Sequence, residues 1–593
     1  MRHIRTPYFS ALFLFLFVGI QSVQGQKAAL DIDYTVALAD PATQQFHVTT
    51  EIKNINQPRI DLSLPTWTPG WYTVENYAKN ILRFKVTDAG GKRLPLRMSR
   101  KQTWNVDTNG IKQIKVEFDY QATVLALNQA KITKDFAFFT GIQLFLQPEG
   151  HRRTPSRVRF KIPTGWKIIT ALKDTSDPLV FAAADYDALV DAPVQMGKFD
   201  LTKFEVDRKP HYFVSTPAGA FSATKSKRFT EMLSKVAIAQ KSIFGDLPYE
   251  KYIYFYFFMP PESNAGGALE HSNSFVAFAP PGNVATPEQI IGTASHEFFH
   301  LWNVKRFRPT EMVPYDYSRE NETPLLWVSE GFTNYYGIVA TYRAGITTRA
   351  AFLQRAADAA AGVENNDARN YISPSNASVS TWVGYDTPVA FGISYYTQGQ
   401  NLAALLDLSI RDDTNGKSSL DDVMRALYDD FFKPGNGFTA ENMISIINRI
   451  TGKNYNDFYR RYVFGTEVPE YDRIFGFAGY KLEKKSQSVP EFGFNVRNRN
   501  GGFLINSVEP NSPASAAGLK GGDLILRIDG ASVQSAPLGT LAGKTIKLTV
   551  NREGSESEML MTVGSRQVTG FSLVELPRPT SKQLMMRESW LKR

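Results

Sequence analysis

Apolar and polar residues alternate with a period of two along Ala29–Leu38, Phe46–Ile52, Ile114–Tyr120 and Val158–Ile162, with turn residues between them. Successive side chains of a strand point to opposite faces, so this alternation predicts half-buried strands and an all-β domain over residues 26–205. Leu64–Trp71 (LPTWTPGW) breaks the alternation with Pro, Gly and Trp and predicts an ordered loop. From about residue 225 the period lengthens. Phe229–Phe244 predicts an amphipathic helix and Tyr252–Phe258 (YIYFYFF) a buried strand. Helical spacing recurs in Glu288–Val304, Leu325–Tyr342, Thr348–Ala361, Thr397–Arg411, Leu420–Phe432 and Ala440–Thr451, which predicts a mainly helical domain over 206–475. Residues 476–570 return to short strands with Gly-rich turns at Gly501-Gly502, Gly518, Gly521-Gly522 and Gly530. Residues 571–593 are polar and basic and predict a poorly ordered tail. The expected fold class is multidomain α+β, and 593 residues suit three or four domains at roughly 150 residues each.

The N-terminus follows a different pattern. Arg2, His3 and Arg5 precede the apolar run Ala11–Ile20, then Val23-Gln24-Gly25. The run is shorter than the roughly 20 residues that span a bilayer, so residues 1–25 read as a signal peptide cleaved after Gly25, with an uncleaved anchor as the alternative. No later segment reaches 18 consecutive apolar residues. The expectation is an exported protein, periplasmic or secreted, with no stable membrane span after cleavage.

Net charge is +9, and removing residues 1–25 takes away Arg2 and Arg5, leaving 9 − 2 = +7. That is mild for this length, no dense Lys/Arg tract occurs, and nucleic-acid binding is not expected. The tightest basic cluster, Lys305, Arg306 and Arg308, reads as a solvated helix end or loop.

The chain has no cysteine. This excludes disulfides, thiolate zinc sites, iron–sulfur clusters and a cysteine nucleophile, so any metal must be held by His, Asp or Glu. Only seven His exist, and two of them fall in His296-Glu297-Phe298-Phe299-His300. On a helix, residues four apart share a face with roughly 6 Å of axial rise between them, so both imidazoles can reach one Zn²⁺. Glu297 then stands where it can take a proton from water at the metal. The alternative is a pair of hydrogen-bonded core imidazoles. A catalytic zinc needs a third protein ligand. Leu325–Gly337 offers an apolar helix with a lone carboxylate, Glu330, whose burial calls for a cation partner.

His296–Pro309 (HEFFHLWNVKRFRP) and Trp327–Tyr336 (WVSEGFTNYY) resemble the glycyl aminopeptidase family of gluzincin zinc metallopeptidases, which carry a PDZ domain. Leu64–Trp71 and Tyr186–Gly197 (YDALVDAPVQMG) resemble that family's N-terminal β-domain. The resemblance covers nearly the whole mature chain. It implies a thermolysin-like catalytic domain with one Zn²⁺ held by His296, His300 and Glu330, and Glu297 as general base. The 30 residues from His300 to Glu330 exceed the spacing in aminopeptidase-N-like relatives and imply a longer connector, Asn303–Pro324.

Gly266–Asn273 (GGALEHSN) resembles the relatives' edge-strand motif, which implies that Glu270 anchors the substrate's α-amine. Gly267 would let backbone approach the substrate. Leu269 and His271 depart from the motif, and His271 is read as a substrate contact or an ordinary hydrogen-bonded loop residue. Ser394–Gly399 (SYYTQG) resembles a Tyr-Glu-Lys-Gly motif, which implies that Tyr396 donates to the oxyanion, with Tyr395 as the alternative and Gln398 in place of the usual Lys. The implied enzyme is a zinc metallo-aminopeptidase that removes small N-terminal residues, Gly or Ala, from peptides with free N-termini.

Ser507–Gly530 resembles a bacterial PDZ domain, and Phe492, Gly493 and Phe494 fit the loop that receives a peptide C-terminus. Only nine residues separate Val533 from Gly543, too few for a full second helix, so the module reads as a reduced PDZ that either binds peptides or is structural. The competing functions are an exported endopeptidase, a broader aminopeptidase, and a non-catalytic peptide-binding scaffold.

Overall fold

The computed structural model describes residues 29–261, 263, 265–383, 392–499 and 501–592. The segment read as a signal peptide lies outside the described residues. Among them, no helix is long and apolar enough to cross a membrane.

The first body is built of sheets. A seven-stranded sheet places Gln45–Lys53 between Asp31–Ala37 and Gln113–Gln121, with Ile32 opposite Ile52 and Val48 opposite Phe118. Burial alternates along these strands as the sequence pattern requires, and one face closes over a core that includes Val36, Phe46 and Val116. Two four-stranded sheets complete the body. The loop at Leu64–Trp71 is anchored to the connector that follows the metal-motif helix. Trp67 is fully buried, its indole N–H donates to the Asp316 carbonyl at 2.8 Å, and the Thr66 N–H donates to the Tyr317 carbonyl. A short helix, α1 (Tyr186–Asp191), ends against the second body.

The second body begins with a five-stranded mixed sheet of β1 (Asp200–Val206), β2 (Lys209–Thr216), β3 (Tyr252–Phe258), β4 (Ala268–His271) and β5 (Ser274–Ala279), in the order β1-β2-β3-β5-β4. Because β1 pairs with β2, the first body ends before Asp200 rather than at residue 205. The central β3 is buried at every position, as its unbroken apolar run predicts. Helix α2 (Ala223–Phe244) packs beside α3 (Pro287–Phe299), which starts with a Thr286/Gln289 capping box and Pro287 in its first turn.

The two segments that carry the metal motif and Glu330 differ from their sequence-based bounds. The metal-motif helix stops at Phe299, five residues before Val304, because the buried Asn303 amide turns the chain out toward the Val328 carbonyl (2.9 Å), the Ser329 carbonyl (3.2 Å) and the Thr333 hydroxyl (3.1 Å). The segment with Glu330 opens as a π-helical turn, Trp327–Phe332, before α4 (Thr333–Arg343). Such turns are rare and concentrate at functional sites. Helix α5 (Arg349–Glu364) and helix α6 (Tyr395–Asp413) follow, and α6 crosses the π-turn at a glycine contact. A Cβ on Gly399 would lie 2.8 Å from the Gly331 Cα, so only glycine allows this approach.

The C-terminal module, a Gly-punctuated sheet with its own core of Ile505, Ile525, Leu548 and Val550, is inserted in a ribbon. Strand β6 (Tyr480–Glu491) leads out to it and β7 (Gly564–Glu575) returns, paired residue for residue. The gap after Val533 holds one 3₁₀ turn, Leu538–Thr540, consistent with too little chain for a second helix. The chain then forms α7 (Ser581–Trp590), which corrects the expectation of a disordered basic tail. Met586 and Trp590, four apart, bury one face of α7 on the catalytic body, and Arg587 donates to the Ala478 and Gly479 carbonyls. Basic composition concealed two apolar anchors.

Candidate active site

The last turn of α3 and its C-cap residue point His296 and His300 toward Glu330 on the π-turn. His296 Nε2 and His300 Nε2 are 3.0 Å apart, and Glu330 Oε2 lies 3.4 Å and 3.2 Å from them. A tetrahedral zinc with bonds of about 2.0–2.1 Å separates its ligand atoms by about 3.3 Å, so this triangle has the edges of a zinc site. The tautomer agrees. His300 Nδ1 lies 2.7 Å from the Asn303 carbonyl, which can only accept, so Nδ1 carries the proton and Nε2 presents a lone pair. His300 Nε2, so close to His296 Nε2 and the Glu330 carboxylate, calls for a cation between them, a metal ion or, without one, a proton.

Charge points the same way. Glu270, Glu297, His300 and Glu330 are all buried, and Glu270, Glu297 and His300 bring ligand atoms within 4.8 Å of one another. Glu270 Oε1, Glu297 Oε2 and Glu330 Oε2 have no hydrogen-bond partner among the described residues. Burial alone would depress the His300 imidazole, but Glu330 and Glu270 outweigh it and push it up to about 10. Burial pushes Glu297 well above the usual carboxylate range, with His300 opposing. Glu330 is held far below that range, since His300 and His296 overcome its desolvation. Three buried carboxylates around two imidazoles are a site that a divalent cation would neutralise.

Glu270 projects from the edge strand β4 and is enclosed by the first body. A Cβ on Gly70 would sit 2.6 Å from Glu270 Oε1 and 2.7 Å from its carboxyl carbon. Gly70 also has φ +91°, a conformation suited to glycine. Two residues on, the Tyr72 hydroxyl reaches Glu330 Oε1 at 3.5 Å. Tyr396 lies in the first turn of α6 with its ring stacked on His296 at 6.1 Å, and burial followed by Glu330 pushes its phenol up, so it remains a donor. Tyr395 stacks on Tyr396, and its hydroxyl lies 3.2 Å from Thr381 Oγ1.

The structure thus brings together His296, Glu297, His300, Glu330, Glu270 and Tyr396. It does not bring His271 to the cluster. His271 is the strand neighbour of Glu270, points the opposite way, and meets Asp191 at 3.3 Å. Gly267 has φ +86° in the approach to β4. Phe492, Gly493 and Phe494 lie on the C-terminal module, where Gly493 has φ +75° and the two rings stack at 5.4 Å. Sequence reasoning missed Gly70, Tyr72, Asp191, Asn303 and Lys305. Lys305 was expected in solvent, yet it is 4% exposed and paired with Asp191 at 3.0 Å.

The M61 peptidase N-terminal domain matches residues 33–198 and the M61 glycyl aminopeptidase domain residues 289–402. The chain belongs to the M61 glycyl aminopeptidase family. A PDZ domain matches residues 490–563, and the protein is a peptidase with a PDZ module. Its fold is that of the aminopeptidase N family protein from Idiomarina loihiensis, with a TM-score of 0.81 and 24% identity over 95% of this chain and 100% of the other. An M1 zinc metallopeptidase from Deinococcus radiodurans aligns at a TM-score of 0.47 and 14% identity, covering 74% of this chain and 95% of the other. Magnetosome formation protease MamE of Magnetospirillum gryphiswaldense is 32% identical over 90 residues, which is 14% of this chain and 11% of MamE.

Proposed function

We propose that the chain is a zinc-dependent aminopeptidase that releases Gly or Ala from the free N-termini of peptides. The observation that carries this reading is Glu270, a buried carboxylate with an unpartnered oxygen, set beside the His296–His300–Glu330 triangle. A buried carboxylate there suits a substrate ammonium and disfavours an internal peptide segment, which cannot neutralise it. His296, His300 and Glu330 would hold the zinc, and the ion supplies Lewis acidity at the position Glu297 faces.

The chain's own groups do the rest. Glu297 takes a proton from the attacking water and returns it to the leaving nitrogen. Tyr396 O–H donates to the oxygen on which charge develops. Glu270 accepts from the α-ammonium and sets the scissile bond one residue from the N-terminus. Membership of the glycyl aminopeptidase family supports the small-residue preference. The N-terminal segment supports export to the periplasm or beyond. We read the module around Phe492, Gly493 and Phe494 as a reduced PDZ that admits a peptide C-terminus.

The test pairs metal analysis with a peptide panel. One zinc per chain, hydrolysis of Gly- and Ala-peptides, and no cleavage of their N-acetylated forms are expected. Equal cleavage of blocked and free peptides would overturn the aminopeptidase reading.

A further inference from the structure

Two sequence features do not enter that chemistry, the Tyr186–Gly197 segment of the first body and the basic cluster after the metal helix. They meet at the seam between the bodies. Asp191, the last residue of α1, receives the Lys305 ammonium at 3.0 Å, the Ser272 N–H at 2.6 Å and His271 Nδ1 at 3.3 Å. All three donors come from the second body. His271 and Ser272 directly follow Glu270, and Lys305 lies five residues beyond His300.

We propose that Asp191 is the positioning residue of the amine site, gripping the edge strand from behind so that Glu270 is fixed against the metal triangle. This rests on the aminopeptidase reading and adds to it an active site whose alignment comes from the N-terminal domain. Alternation along β4 turns His271 and Glu270 to opposite sides, so a hold on His271 and Ser272 sets the backbone from which Glu270 projects. Gly70, also from the first body, backs the Glu270 carboxylate. Glu270 is therefore bracketed on backbone and side chain by one domain. The contact is a firm one. Lys305 and His271 are both buried, and the Lys305 charge, ahead of the His271 and Ser272 hydrogen bonds, overcomes burial to hold Asp191 far below the usual carboxylate range. Arg306 reinforces the same turn by donating to the Ser272 carbonyl. Binding of an ammonium to a carboxylate demands placement to within a fraction of an ångström, so a loosened strand costs substrate affinity before it costs chemistry.

The experiment is a kinetic cycle on the full-length zinc enzyme with a free-amine Gly-peptide. Asp191→Asn should raise KM about tenfold while kcat stays within about threefold and zinc content is unchanged. In a Glu270→Gln background, itself raised in KM, adding Asp191→Asn should have little further effect, because both changes remove one interaction. If Asp191→Asn fails to fold, Asp191→Asn with Lys305→Met removes both buried charges and should fold with the same raised KM. Unchanged KM in the folded variant, or a full additional effect in the Glu270→Gln background, overturns the proposal. Normal KM in Glu270→Gln itself, or cleavage of blocked peptides by the wild type, instead sinks the aminopeptidase reading.

Discussion

Gly70 packs so closely on the Glu270 carboxylate that an added Cβ would fall 2.6 Å from Oε1, and this approach joins the N-terminal domain to the candidate amine site. It leaves no volume for a side chain. Gly70→Ala must displace either the loop or Glu270, and it also forces an alanine into φ +91°. Backbone strain of this kind costs on the order of 1–3 kcal/mol. We expect kcat/KM for free-amine peptides to fall by at least about tenfold, roughly 1.4 kcal/mol, with zinc content preserved. Steady-state kinetics with metal analysis checks this, and a Gly70→Ala enzyme of normal efficiency would show that Glu270 does not need the wall.

Glu297 is buried beside the metal triangle, with one carboxylate oxygen unpartnered. Glu297→Gln keeps the shape and removes the proton shuttle. Zinc should be retained at full stoichiometry and kcat should drop at least about a hundredfold, within the range for loss of a general base. Near-normal turnover in the zinc-loaded variant would reassign the base.

Much of this site was legible because its chemistry is local. His296 and His300 are four apart on one helix, and Glu330 stood out as a lone acid in an apolar run. The partners that came from other elements were not legible. Asp191 and Lys305 are 114 residues apart in sequence and meet only through tertiary packing, so a buried cation looked like a solvated one. His271 was drawn toward the site by adjacency to Glu270, although strand alternation turns it away. Helix α7 was hidden by its charges, since two apolar residues in ten carry its docking.

His211 gives the fold a pH dependence of its own. It is fully buried on β2 between the Tyr254 hydroxyl (2.9 Å) and the Tyr249 hydroxyl (2.8 Å), stacked near Phe298 of the metal helix. As a neutral ring it donates to one phenol and accepts from the other. Burial pushes it down to about 3. Its ordinary value is near 6.5, so below that pH the unfolded chain takes up a proton that the folded chain refuses. Its stabilising effect is therefore complete above about pH 6.5 and is lost progressively toward pH 3, at up to about 1.4 kcal/mol per pH unit. Thermal melts of wild type and His211→Gln from pH 7.5 to about 4 should diverge in slope, with the variant flatter. Parallel slopes would place the acid sensitivity elsewhere.

The C-terminal helix makes the last prediction, because it binds to the helix that continues the turn carrying a proposed metal ligand. The Trp590 indole N–H donates to the Tyr335 hydroxyl at 3.0 Å, and that hydroxyl donates to Asp407 on α6 at 2.7 Å. Arg411, also on α6, holds Asp407 at 3.1 Å and donates to the Ser589 carbonyl at 2.9 Å. Tyr335 lies five residues after Glu330, and α6 carries Tyr396 in its first turn, so α7 locks the two helices that face each other across the site. Trp590→Ala removes a nearly fully buried ring and leaves the Tyr335–Asp407–Arg411 network open on one side, which should cost about 3–5 kcal/mol of stability. Ending the chain at residue 580 should go further and lower zinc retention as well as the melting temperature, whereas a disordered tail could be removed without effect. A truncated enzyme with wild-type melting temperature and zinc content would show that α7 is dispensable.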